Sequence, residues 1–581
     1  MKFSWAQIKN FFAALKSGAK QLPRLKRRDI MRTLDLFTRK EIYTLLAVAG
    51  LAAVSGVFLF SSLAHQPAAG PHSGGEITEG LVGQPQFINP VLALTNSVDT
   101  DLSRVVYAQL LKYDENQNLT PDLAAAMPQV SADNKVYTLQ LKPNLQWQDG
   151  KPLTADDVVY TIETIQNADY QSPLRPNWTR VKVEKIDDLT LRFTLREVSI
   201  SFINNFAIGI MPKHIWDSLS AADFRASDNN LNPVGSGPFE ISEIKKTSAG
   251  AVKSISLKPN PYYYQGRAYL DEVTFSFFTG YDELINAYQS RDISTLGFVA
   301  FDNKASLAPS DKYSQYQVTL PQYQAVFFNL QKSSVLDEKA VRQALWLTTN
   351  RDDIINQVYA GAAAPAYGPI LPEALGYNSA VAASAHLSVP EAEDILDKAG
   401  WVTDPLSNIR TRAGKTLEFD LVVNGSSPLN VTAAQILQSQ WLKAGIRANL
   451  VIATGPDLEQ KYIRPRAFDA LLFSENTGAD PDPFPFWHST QIHDPGLNLS
   501  GFSDPEADQL LTEARQTADE SLRTKDYLRF QEIINDDLPA IFLVRSLYIY
   551  DVPKKLQGVD LHNMIQASER FADINKWYIA E

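Results

Sequence analysis

The chain has 581 residues, too many for one compact core at roughly 100 to 200 residues per domain, and its 44% apolar and 21% charged content is that of a folded globular protein. The absence of cysteine excludes a disulfide scaffold, thiolate metal sites, a thiol nucleophile and a lipidated cysteine anchor. Residues 1–42 carry eleven Lys or Arg against three carboxylates, about +8, so a net charge of −12 leaves about −20 on the remainder, an acidic body that argues against nucleic acid as a partner.

The basic tail, 1–41, is read as cytoplasmic. From Ile42 to Ala64 the chain carries no charge over about the twenty residues needed to cross a bilayer. Arg24, Lys26, Arg27, Arg28, Arg32, Arg39 and Lys40 crowd its N-terminal side, so the positive-inside rule places everything after Ala64 outside the cytoplasmic membrane. A single-pass protein with an extracytoplasmic C-terminal body is therefore expected. The competing reading is a cleaved signal peptide ending at Ser62-Leu63-Ala64. The tail itself is either an interfacial helix on anionic lipid or a solvated basic segment. Residues 65–75, rich in Pro, Gly and small side chains, read as a flexible linker.

Beyond the linker, strand-like runs are expected at Lys135–Leu141, Thr190–Leu195, Val252–Leu257, Glu272–Phe278, Tyr323–Leu330, Glu418–Val423 and Ile541–Tyr550. Helices are expected at Thr154–Ile165, Tyr281–Tyr288, Glu338–Val358, Ala433–Ala444 and Asp504–Ala518. Alternation of the two indicates an α/β body, and no fixed-period repeat is present.

Nucleophile-elbow, Walker, dinucleotide and zinc-protease motifs are all missing. Seven scattered histidines offer His488 and His493 as a candidate metal pair, which reads more simply as two surface side chains. Asp156-Asp157, Asp352-Asp353 and Asp536-Asp537 read as helix first turns or exposed turns. No enzyme, cofactor or metal is expected.

Five ordered blocks carry a family resemblance. Gly83–Tyr113 holds Asn89-Pro90, Asp99-Thr100-Asp101 and Leu110-Leu111. Tyr137–Ile162 holds Trp147, the Asp149-Gly150 turn, Pro152-Leu153-Thr154 and Asp156-Asp157-Val158. Pro233–Phe239 is followed by Asn260-Pro261-Tyr262-Tyr263 and Leu270-Asp271-Glu272-Val273; Asn329–Arg351 keeps Asp337, Val341–Leu345 and Asn350-Arg351. Asp480–Ser489 leads to Gly501–Arg515. Together they resemble the family 5 extracellular solute-binding proteins, the peptide, dipeptide and nickel binders of ABC importers. Physically, Asp149-Gly150 is a tight turn, Thr154 a helix cap, and Gly235, Gly237 and Pro238 a strand corner, so these residues hold the fold.

The resemblance implies a bilobal, class II periplasmic-binding-protein-like fold with an extra subdomain, closing on its ligand by hinge motion. It divides the body into domain I in three parts (76–105, 232–325 and 541–581), domain II (106–231) and domain III (326–540). It also implies a receptor that holds short peptides, mainly through backbone hydrogen bonds, and delivers them to permease subunits. A nickel complex, an oligosaccharide, or a membrane-tethered sensor or scaffold role are the alternatives. In the resemblance, a carboxylate just before the Asp-Pro element pairs with the ligand's α-ammonium, which points to Asp480 or Asp482; the chain departs from the family's D-Y-P-D-P pattern by one residue. Aromatic candidates for the cleft are Phe484, Phe486, Trp487, Trp401 and Tyr323. Asn329 is a candidate backbone-like contact, and Arg342 a helix-to-sheet bridge.

Overall fold

The computed structural model describes residues 70–297 and 312–580, apart from 385, 426, 455, 456, 562 and 563, with scattered positions between 38 and 55. The expected anchor, 42–64, and the tail before it lie almost wholly outside the described residues. Among the described residues no helix is long and apolar enough to cross a membrane. The chain divides into two compact units, Met1–Gly70 with Glu581, and Pro71–Ala580. In the first, the described positions from Lys40 to Ser55 are helical, with Thr44 Oγ1 donating to the Lys40 carbonyl at 2.9 Å.

The second unit is built on a twisted mixed sheet that runs, in spatial order, Arg447–Ala453, Glu418–Asn424, Ala470–Asn476, Gln322–Phe328, Ala540–Pro553, Thr295–Gly297, Glu76–Val82, Glu272–Phe278, Val252–Pro259 and Phe239–Lys246. Burial follows the side-chain period. Glu272–Phe278 buries Val273, Phe275 and Phe277 on one face and leaves its alternate residues half-buried on the other. Gln322–Phe328 is buried on both faces after its first residue, as expected for a central strand covered on both sides. The 14-residue strand Ala540–Pro553 belongs to both halves of the sheet: its first part pairs Gln322–Phe328, and its second pairs Tyr313–Thr319 and Thr295–Gly297.

A separate four-stranded antiparallel sheet, ordered Gln129–Val130, Val136–Gln140, Thr190–Leu195, Val181–Lys185, packs with helix Ala155–Gln166. That helix starts where expected: Asp157 accepts from the Thr154 N–H at 2.9 Å, half of a capping box. Gly150 takes φ +79° in the tight turn after Trp147. Gly235 and Gly237 serve close approach, since a Cβ there would fall 2.1 Å and 2.5 Å from the carbonyl oxygens of Val106 and Val105. The loop thus seats on the C-terminal end of helix Ser97–Val106, and the Gly237 N–H donates to the Val106 carbonyl at 2.7 Å.

Several expected elements are corrected. The single helix over Glu338–Val358 is two, Lys339–Thr348 and Arg351–Val358, because Asn350 adopts extended backbone and caps the second through the Asp352 and Asp353 N–H groups. Asp536-Asp537 ends helix Glu520–Asp537 rather than starting one, and Arg342 answers it by donating to the Asp537 carbonyl and carboxylate at 2.7 and 2.9 Å. Arg342 also binds the Leu336 and Asp337 carbonyls, so it joins helix to helix rather than helix to sheet.

A buried ion cluster locks the first half of the sheet. Arg570 meets Asp101 Oδ2 at 2.5 Å and Glu79 Oε1 at 3.1 Å, while Tyr550 donates to Glu79 at 2.9 Å. It joins strand Glu76–Val82, helix Ser97–Val106, the long strand Ala540–Pro553 and the C-terminal segment.

Candidate functional site

Four stretches of chain, within 90–113, 174–209, 476–516 and 565–569, surround a cleft of about 1180 Å³. The third is shaped by its prolines. In Asp480-Pro481-Asp482-Pro483 two backbone donors are missing, and the chain turns directly into the single-turn helix Phe484–Trp487, whose first N–H is accepted by Asp482 Oδ1 at 3.2 Å.

Both aspartates line the cleft, and both already face a guanidinium. Arg523, from helix Glu520–Asp537, donates to Asp480 Oδ1 at 2.5 Å. Burial raises the Asp480 pKa while Arg523 pulls it down. Arg515, at the end of helix Pro505–Gln516, lies 3.1 Å from Asp482 Oδ2, which also accepts from Ser201 Oγ at 2.8 Å. Arg515 Nε reaches Ser199 Oγ at 3.3 Å, so the 199–201 wall and the 480–516 wall are bridged twice. A ligand ammonium arriving at either aspartate would share it with an arginine.

Phe484 stands in the cleft between cations and rings, with Arg515 4.5 Å over its face and His488 stacked at 4.1 Å. Burial lowers the His488 pKa, with Asp508 opposing, and its Nδ1 accepts from the Thr490 N–H at 3.1 Å. His493 is exposed, and among the described residues no group of three His, Asp or Glu is placed to hold a metal. Phe486 lines the cleft beside Phe484.

The structure does not bring the remaining sequence candidates to the cleft lining. Tyr323 is buried and donates to Glu475 across the strand pair. Asn329 is buried, giving its amide to the Arg466 carbonyl at 2.9 Å and accepting from the Gln331 N–H at 3.1 Å, which makes it a loop brace. Trp401 packs in a core with Trp441 and Leu396, its Nε1 3.3 Å from Glu338 and Arg412 over its face at 4.4 Å. Trp487 points into the core against Phe327, Phe502 and Phe542. Sequence reasoning missed Arg104, Tyr107, Gln109, Tyr113, Ser201, Arg515 and Glu569, which line the cleft from segments whose local patterns look structural. One signal was available: Arg104 lies amid the apolar residues of SVDTDLSRVV, where a charge has to be answered.

The family model of the bacterial extracellular solute-binding proteins, family 5, middle region, matches residues 118–495. The oligopeptide-binding protein AppA of Bacillus subtilis is 29% identical over 540 residues, covering 91% of this chain and 96% of AppA. The dipeptide-binding protein of Escherichia coli is 27% identical over 509 residues, covering 82% of this chain and 90% of its own length. The solved structure of Bacillus subtilis AppA in complex with a nonapeptide superposes with a TM-score of 0.75 at 28% identity, covering 88% of this chain and 100% of that one. With this periplasmic-binding-protein-like fold and a match over most of its body, the chain belongs to the bacterial extracellular solute-binding proteins of family 5 and is a binding protein rather than an enzyme.

Proposed function

We propose that this chain is a membrane-anchored, extracytoplasmic receptor that holds a short peptide in the cleft and passes it to the permease of an ABC importer. The observation that carries the reading is the cleft itself. At about 1180 Å³ it exceeds the roughly 300–1,000 Å³ usual for small-molecule sites, and its lining mixes aromatic rings with neutral polar and charged side chains of both signs, as suits an extended ligand with charged ends. AppA of Bacillus subtilis, solved with a nonapeptide, supports the ligand class. In this reading the sequence candidates that touch the ligand are Phe484, Phe486, Asp480 and Asp482, all of which line the cleft. The division into domain I (76–105, 232–325, 541–581), domain II (106–231) and domain III (326–540) belongs to this reading, with Ala540–Pro553 as the strand about which the halves hinge.

Ile42–Ala64 holds the receptor at the membrane, supported by its uncharged length and its basic flank. Alkaline carbonate extraction should leave the chain in the membrane pellet, and release into the supernatant would reject the anchor.

The ligand class is tested by melting the full-length chain in detergent with peptides of two to nine residues. A bound peptide at a hundred times its Kd adds about 2.7 kcal/mol, a clear upward shift of Tm. No shift with any peptide, together with a non-peptide mass retained in native mass spectrometry, would reject it.

A further inference from the structure

The charges that line the cleft do not balance once the chain's own pairs are set aside. Each of the lining carboxylates already has a guanidinium. Asp480 takes Arg523 at 2.5 Å, and Asp482 takes Arg515 at 3.1 Å. Glu569 faces Arg104 at 3.6 Å, and Glu197 takes Arg180 at 3.0 Å. Two lining guanidiniums are left over, Arg175 and Arg196, both on the wall formed by residues 174–209.

Arg196 is exposed, just beyond strand Thr190–Leu195, and among the described residues its guanidinium has neither a hydrogen bond nor a carboxylate. Arg175 opens the single-turn helix Arg175–Trp178 and is half-buried. Its Nε donates to the Gln166 carbonyl at 2.9 Å, and its two outer nitrogens have no partner among the described residues. The position of Arg196 is itself unfavourable. It stands opposite Arg180, its N–H donating to the Arg180 carbonyl at 3.2 Å, one place beyond the Val181–Leu195 pair. Like charges directly opposite on an antiparallel pair repel. Glu197 answers Arg180 and leaves Arg196 unanswered at the cleft.

The surroundings run the other way. The body carries about −20, so cations left over in one concave place stand out against an acidic background. Screening over about 8 Å at physiological salt means that a ligand in the cleft feels this wall rather than the whole body. An ammonium entering the cleft finds every lining carboxylate in use and meets two unanswered arginines. A carboxylate finds planar donor forks with no competing anion.

We propose that Arg175 and Arg196 make this wall of the cleft selective for an acidic side chain of the ligand, so that the receptor prefers peptides carrying Glu or Asp. The assignment rests on the peptide reading above. Asp480 and Asp482 do not select the opposite charge, because Arg523 and Arg515 hold them.

Peptides of three to nine residues with acetyl and amide ends, carrying Glu, Gln or Lys at each position in turn, are titrated by calorimetry into the full-length chain in detergent. At the preferred position Glu should bind about three- to tenfold tighter than Gln, and Lys more weakly than Gln. The advantage of Glu should shrink as salt is raised. Arg175→Gln and Arg196→Gln should each lower the Glu-over-Gln ratio about twofold, and the double substitution should bring it near one. Glu197→Gln frees Arg180 and should raise the ratio. Arg192→Gln removes a charge from strand Thr190–Leu195 outside the cleft lining and should leave the ratio as it is. A ratio near one at every position in the wild type, or one that survives the double substitution, would overturn the assignment while leaving the peptide reading intact. An arginine-dependent gain from a free C-terminus, in a peptide without Glu, would assign the wall to the terminal carboxylate and overturn the side-chain preference. If no peptide of any charge binds the wild type, the peptide reading fails and the preference with it.

Discussion

Glu475 is buried on strand Ala470–Asn476, directly opposite Tyr323, whose hydroxyl donates to it. Burial raises its pKa to about 8, with the Tyr323 hydrogen bond pulling the other way. The unfolded chain releases this proton near 4.5, so between that pH and about 8 the folded state holds one proton more than the unfolded state. Stability from this group is therefore full below pH 4.5 and falls as pH rises, by at most about 1.4 kcal/mol per unit. Urea midpoints at pH 5 and pH 8 should differ less for Glu475→Gln than for the wild type, and equal differences would contradict the assignment. At Arg570 the expected effect is larger. Arg570→Met leaves Glu79 and Asp101 buried without their cation, a loss of about 3–5 kcal/mol in urea unfolding. A loss below about 1 kcal/mol would mean that the two carboxyls find another partner. Neither cluster was legible beforehand, because Glu79, Asp101, Tyr550 and Arg570 are distant in sequence and each alone looks like an ordinary surface residue.

Among elements, legibility followed how cleanly the apolar period showed. Thr190–Leu195 and Glu272–Phe278 match their expected bounds end to end, both alternating buried and solvent-facing residues. Helix Glu520–Asp537 was overlooked although it is 18 residues long. Its buried stripe runs through Arg523, Tyr527, Phe530, Gln531 and Ile534, and the two polar members hide the period. Those two are buried because tertiary partners wait for them: Asp480 for Arg523, and the Gly376 carbonyl at 2.7 Å for Gln531. The break at Thr349-Asn350 was hidden for the opposite reason, since apolar residues continue in helical phase across it. Asn350→Ala removes the cap of Arg351–Val358 and should cost about 1 kcal/mol in thermal or urea unfolding. An unchanged stability would mean that Gln440, which accepts from the Asn350 N–H at 3.0 Å, is enough to set the break.

For the whole molecule the question is what keeps the cleft walls together. Asp482 takes a hydrogen bond from Ser201 across the cleft and an ion pair from Arg515 on its own wall, and Arg515 in turn reaches Ser199 on the other. Asp482→Ala removes the bridge to Ser201 and the carboxylate that holds Arg515 beside Ser199, so the ligand-free chain should spend more time open and show a larger radius of gyration by small-angle scattering. Saturating peptide should restore the wild-type value. Identical scattering of the two ligand-free chains would assign closure to other contacts.

Composition and pattern alone determined an acidic α/β body behind a basic, uncharged-span N-terminus, because charge asymmetry, an uninterrupted apolar run and side-chain periodicity are local properties. The ordered motifs, Tyr137–Ile162 above all, carried the family, since turns and caps such as Asp149-Gly150 and Thr154 are written in adjacent residues. Which polar residues face the cleft was decided only by tertiary structure. Phe484, Phe486, Asp480 and Asp482 come to the lining, whereas Tyr323, Asn329, Trp401 and Trp487 do not, and Arg104, Tyr107 and Glu569 do so unannounced. Whether a given aromatic or charge points into a core or a cleft depends on what packs behind it, and those neighbours lie tens to hundreds of residues away, as Glu569 does from Arg104.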